Sequence, residues 1–96
     1  MEVSEFQKLI RGLYESRDRK RGLEKTTLWL VEEIGELAEA VRKGDAELAK
    51  EEIADVIAWT VSVANLMDID VEDALKEKYP GKCPRCNSYP CRCDRN

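Results

Sequence analysis

At 96 residues the chain has room for one domain and a short appendage, with a core thin enough that oligomerisation or a metal staple is expected. It is 43% apolar and 38% charged, and no apolar run approaches the roughly 20 residues that cross a bilayer, so a soluble globular protein is expected rather than a membrane one. The net charge of −4 is partitioned: residues 1–25 carry seven basic and five acidic side chains, residues 26–75 three and thirteen, residues 76–96 six and two. An acidic centre between basic ends suits a cation site flanked by groups for a polyanion, although helical proteins also segregate charge without such a purpose. The opening M-E-V-S-E-F-Q-K lacks the basic-then-apolar pattern of a secretory signal, so a cytoplasmic location is the expectation.

The spacing predicts four helices. Phe6, Leu9, Ile10 and Leu13 mark one amphipathic face of the first, with Ser4 as its expected N-cap; the charged R-D-R-K-R-G at 17–22 reads as a connector. A second helix is expected from about Leu23 to Lys43, with Leu23, Thr27, Leu30, Ile34, Leu37 and Val41 at bundle-seam spacing. Gly44 supplies a C-terminal cap and Asp45 an N-cap for a third helix running to about Met67, whose apolar positions are Ile53, Val56, Ile57, Val63 and Leu66. After the D-I-D break at 68–70, Val71 to Tyr79 form a short fourth helix capped by Asp70. The predicted architecture is thus an all-α four-helix bundle over 1–79, followed by a Cys-rich tail over 80–96.

The sequence E-E-I-G-E (32–36) places three carboxylates beside the apolar seam. Glu33 and Glu36 are one helical turn apart and share a face, as do Glu52 and Asp55 on the next helix. Folding the two helices back at Gly44 sets Glu36 opposite Glu52 and Glu33 opposite Asp55, because the members of each pair are equally far from the turn. Either motif alone is common by chance on charged helices; the mirrored placement sets these two apart. Four converging carboxylates repel unless a cation joins them, and Mg²⁺ or Mn²⁺ prefers carboxylate and water oxygens while keeping positions open for phosphates. With no histidine in the chain, a His-ligated transition-metal site is not expected here.

L-W-L-V-E-E-I-G-E-L-A-E-A (28–40) followed by E-E-I-A-D-V (51–56) resembles the MazG family of nucleoside triphosphate pyrophosphohydrolases, whose hallmark is E-E-x-x-E followed by E-x-x-D. The resemblance spans roughly residues 4–79, including R-D-x-x-R-G before the second helix. It implies an all-α, Mg²⁺-dependent (or Mn²⁺-dependent) enzyme that hydrolyses an NTP or dNTP to the monophosphate and pyrophosphate, and acts as a homodimer or homotetramer. Carried over by residue, it implies metal ligands at Glu33, Glu36, Glu52 and Asp55, with Glu32 a further carboxylate orienting water. Arg17, Arg19, Lys20, Arg21, Lys25, Lys76, Lys78 and Lys82 are candidates for phosphate, against the alternative of solvated surface charge. Trp29, Trp59 and Asn65 are weaker candidates for base or sugar; an aromatic at helical spacing is more often core.

Cys83, Cys86, Cys91 and Cys93 form C-x-x-C-x4-C-x-C, a spacing that fits a tetrahedral, structural Zn²⁺ site, either within one chain or shared between chains. Disulfide pairing and unligated thiols are the rivals. The tail departs from the minimal family pattern, since Arg85, Asn87 and Arg92 fall inside the cysteine loop. A second functional reading is a non-catalytic helical adaptor whose zinc tail binds nucleic acid or a protein partner, Arg85, Tyr89, Arg92 and Arg95 being suited to nucleic acid. Nucleic acid is not the expected partner, because the acidic body opposes a phosphate backbone.

Overall fold

Residues 1–94 are described in the computed structural model of the chain, and Arg95 of the adaptor reading lies outside them. Four helices follow in order: α1 (Val3–Arg21), α2 (Leu23–Lys43), α3 (Ala46–Leu66) and α4 (Val71–Lys78), with no strand among the described residues. No helix among them is long and apolar enough to cross a membrane.

Two boundaries differ from expectation. Helix α1 starts one residue ahead of Ser4, because Glu2 caps it: the Glu2 N–H donates to Glu5 Oε1 at 3.1 Å in a capping box. Ser4 instead donates its backbone N–H to Glu72 Oε1 at 3.3 Å, tying α1 to α4. The charged 17–22 stretch is not a connector; α1 runs through Arg21, and Gly22 alone makes the corner at φ 91°. Arg19, Lys20 and Arg21 complement the negative end of the helix dipole, which sustains a polar last turn.

The α2–α3 turn forms as the sequence predicts. Gly44 takes the left-handed conformation at φ 69°, its N–H and that of Asp45 satisfy the carbonyls of Val41 and Ala40, and Asp45 Oδ1 accepts from the Leu48 N–H at 3.0 Å. Asp70 caps α4 in the same way, accepting from the Asp73 N–H at 2.9 Å.

The packed faces are rotated from the expected seams. On α2 the interior stripe is Thr26, Leu30, Glu33, Leu37 and Ala40, whereas Leu23, Thr27, Ile34 and Val41 are exposed. On α3 the buried positions are Glu52, Val61, Ser62, Ala64 and Asn65, while Ile53 and Ile57 are about half exposed. On α1, Gln7 and Ile10 are buried while Leu9 and Leu13 face out. Helix α3 packs against both α1 and α2, and small or polar residues, Thr26, Ala40, Ser62, Ala64 and Asn65, are among the most buried of the bundle. A buried amide network completes the far end: Gln7 Nε2 donates to Asn65 Oδ1 (2.9 Å) and the Ile69 carbonyl (2.8 Å), and the Val71 N–H donates to Gln7 Oε1 (2.9 Å).

Candidate metal and nucleotide site

Helix periodicity puts Thr26, Glu33 and Ala40 on the inner side of α2, and Glu52 of α3 comes close to Glu33. Glu33, Glu36 and Glu52 each offer a carboxylate oxygen to a point where all three lie within 4.8 Å of one another. Glu52 is buried, Glu33 half-buried and Glu36 exposed, so the cluster runs from the hairpin interior to solvent. Glu33 Oε2 and Glu52 Oε2 are both buried with no hydrogen-bond partner. An unpartnered buried carboxylate oxygen is costly, and two facing each other are more so.

The electrostatics record this crowding. Burial first, then the facing Glu52 carboxyl, then the Glu36 charge push Glu33 up to about 7 from its ordinary 4.5. Because the folded-state value lies above the unfolded one, the stability that Glu33 contributes is full below about 4.5 and is lost as pH rises through about 7. The metal-free Glu33→Gln variant is therefore expected to out-melt wild type by a margin that widens from pH 5 to pH 8. Thermal unfolding of the two proteins side by side checks this, and a constant or shrinking margin contradicts it.

Asp55 stands one turn from Glu52 but is not a member of the converging group. It is exposed and lines an adjoining cavity of about 270 Å³ with Tyr14, Arg17, Asp18, Arg21, Ala58, Trp59 and Ser62. Trp29 and Trp59 stack above this region, ring centroids 6.3 Å apart and 23° from parallel. They too are mirror partners about Gly44, a signal present in the sequence that identifies Trp59 with the site as readily as Trp29. Arg21 lies 4.8 Å over the Trp59 ring and donates from Nη1 to Asp18 Oδ1 (2.9 Å) and Thr26 Oγ1 (3.3 Å). Asp18, buried and with Oδ2 unpartnered, joins the site although its sequence pattern assigned it no role; its i, i+3 spacing to Arg21 within R-D-x-x-R-G is the sign that marks it.

The remaining candidates scatter. Glu32 is exposed and outside the converging group. Lys25 is exposed on the first turn of α2, and Lys78 lies 5.7 Å over the Tyr79 ring at the end of α4. Asn65 is buried, its Oδ1 committed to Gln7 and to Arg11 Nη2 (3.0 Å).

The four tail thiols are free and form a second group whose sulfurs lie within 4.8 Å of one another. Backbone N–H groups of Arg92 and Ser88 hold the Cys86 thiol down at about 6, those of Cys86 and Arg85 lower Cys83, and the thiols of Cys91, Cys86 and Cys83 push Cys93 up to about 12.

Fold and first cluster together define an all-α bundle with a carboxylate-rich hairpin beside an arginine- and tryptophan-lined cavity. The family model of the MazG nucleotide pyrophosphohydrolase domain matches residues 21–87, most of the chain, and the chain belongs to that family. The match takes in the whole hairpin and continues into the tail as far as Asn87. A comparison with curated proteins gives no match.

Proposed function

We propose that the protein is a Mg²⁺-dependent (or Mn²⁺-dependent) nucleotide pyrophosphohydrolase that cleaves the α–β phosphoanhydride of an NTP or dNTP, releasing the monophosphate and pyrophosphate. The observation that carries this is the convergence of Glu33, Glu36 and Glu52 with two buried, unpartnered oxygens, in a chain of the MazG family. That donor set is all hard oxygen and net negative, which fits a hard divalent cation, and Glu33 Oε2 and Glu52 Oε2 have no hydrogen-bond partner among the described residues. Glu33, Glu36 and Glu52 would hold the ion, with Asp55 at the cavity edge as the fourth ligand. When bound, it polarises phosphoryl oxygens and lowers the pKa of a coordinated water.

The chain's own residues do the rest. Arg21, fixed by Asp18 and Thr26, presents an oriented guanidinium to polyphosphate, and Arg17 on the same cavity wall adds a second cation. Lys25 and Lys78 stand further out and serve to attract the anion rather than to grip it. The Trp29–Trp59 stack offers an apolar face for a base, Trp29 being 45% exposed. Exposed Glu32 orients the attacking water. Asn65 positions α1 against α3 and so shapes the cavity from behind.

Exposed aliphatics on α2 and α3, including Leu28, Val31, Ile34, Ile53 and Ile57, support a homodimer or homotetramer in which a second copy covers them. Light scattering on the purified protein reads this directly, and a strict monomer would contradict it. The function is tested by following pyrophosphate release from a panel of NTPs and dNTPs with Mg²⁺ or Mn²⁺. We expect turnover of at least one nucleotide that stops when the divalent cation is withheld; no product from any of them would sink the reading.

A further inference from the structure

We propose that Cys83, Cys86, Cys91 and Cys93 of a single chain form a tetrathiolate zinc centre, separate from the carboxylate cluster, that folds the tail.

The four sulfurs come from one chain and converge within 4.8 Å, so no second subunit is needed to complete the ligand set. Zinc at about 2.3 Å from each of four sulfurs requires roughly 3.8 Å between them. Cys83 Sγ and Cys93 Sγ, the first and last of the set, stand 3.7 Å apart. The backbone already has the shape that such a centre imposes. The Cys83 N–H donates to the Ser88 carbonyl (3.0 Å) and the Asn87 N–H to the Cys83 carbonyl (2.8 Å), closing a tight loop around the first cysteine pair. Asn87, directly after Cys86, takes the left-handed conformation at φ 58°, a conformation that asparagine tolerates better than most residues.

Two further N–H groups point at sulfur: Arg92 to Cys86 Sγ and Cys93 to Cys91 Sγ, each at 3.3 Å. Donors aimed at sulfur stabilise thiolates rather than thiols. The charge balance agrees. Zinc with four thiolates carries a net charge of about −2, and Lys82, Arg85 and Arg92 in the same loop offset it. Those basic residues thereby have a reason to be present that does not involve nucleic acid.

The described part of the segment has no apolar core of its own. No residue of 80–94 is fully buried, and its largest apolar side chain, Tyr89, is 87% exposed. A segment without a core folds when a metal ties it, and binding and folding are then one event. The four thiols lose their protons to solvent as zinc enters, so no electrons move and no oxidant is required. Soft sulfur selects zinc here, while the hard carboxylates of the hairpin select a magnesium-like ion.

The test uses the full chain, purified under reducing conditions without chelator. Elemental analysis should find one zinc per chain, and Cys86→Ser and Cys93→Ser should each lose at least nine-tenths of it while keeping the helical circular-dichroism signal. Cobalt alone, added to the zinc-free protein, should give the visible bands and near-ultraviolet sulfur-to-metal charge transfer of a tetrahedral thiolate site. Glu36→Gln should retain full zinc, which separates this centre from the hairpin cluster. Four freely reactive thiols with under a tenth of an equivalent of zinc would overturn the proposal. So would a mass deficit showing disulfides, or iron in place of zinc.

Discussion

Glu36→Gln is expected to reduce pyrophosphate release by well over the 10- to 100-fold typical of losing an outer-shell partner of a metal ligand, with helix content unchanged. Glu36 is exposed, so an amide there buries no new polar group and the fold has no reason to fail. What changes is the ligand set, since one of the three converging carboxylates loses its charge. Glu52→Gln should be as inactive but should also stabilise the metal-free protein, because it relieves a buried carboxylate facing Glu33. Loss of activity together with gain of stability distinguishes a site from a structural element, for which both would fall. Mg²⁺ should raise the melting temperature of wild type and leave that of either variant where it was. Asp55→Asn separates two versions of the site: a loss equal to that of Glu36→Gln makes Asp55 a ligand, and a milder one makes it a cavity residue. Glu36→Gln retaining more than a tenth of wild-type turnover would contradict the whole assignment.

Asp18→Ala should be the most damaging single change to stability in the helical body. Its side chain is 3% exposed and pairs with Arg21 at 2.9 Å, at the corner where α1 turns into α2. Breaking a buried ion pair from one side costs about 3–5 kcal/mol, because the surviving charge is left unpaired. Here the cost falls toward about 2–3 kcal/mol, since the Arg21 side chain is 22% exposed and keeps some contact with water. For a domain of this size that corresponds to a fall in Tm of roughly 10 °C or more. Asp18→Asn, which retains shape and an acceptor oxygen, should fall less. Since Arg21 also sits over Trp59 beside the cavity, releasing it should raise KM for nucleotide more than it lowers kcat. A Tm drop below about 3 °C for Asp18→Ala would show that the pair is not holding the corner.

Much of this site was legible because a hairpin has a mirror. Once Gly44 and Asp45 are recognised as cap and counter-cap, equal distances from the turn identify facing residues without any coordinates. Equal distance from the turn brings Glu36 to Glu52, and Glu33 converges on the same point. Applied to the tryptophans, it leads to the Trp29–Trp59 stack. The cysteine spacing likewise announces a cluster, and the four sulfurs converge.

Less legible was how far each helix is rotated about its own axis. Of the expected seam Leu23, Thr27, Leu30, Ile34, Leu37 and Val41, Leu30 and Leu37 turn inward, and the rest of the α2 interior is the adjoining Thr26, Glu33 and Ala40. A period of 3.6 residues states which side chains share a face, not which of two adjacent faces turns inward. The sequence by itself determined the four helices, the register of the hairpin and the two groups of metal-binding residue types. Only the tertiary structure placed Asp55 on the cavity wall, Arg21 against Asp18, and the Asn65 Oδ1 against Gln7. The physical reason is that α3 contacts α1 and α2 at once, and close approach on two sides selects the small and polar residues for the interior.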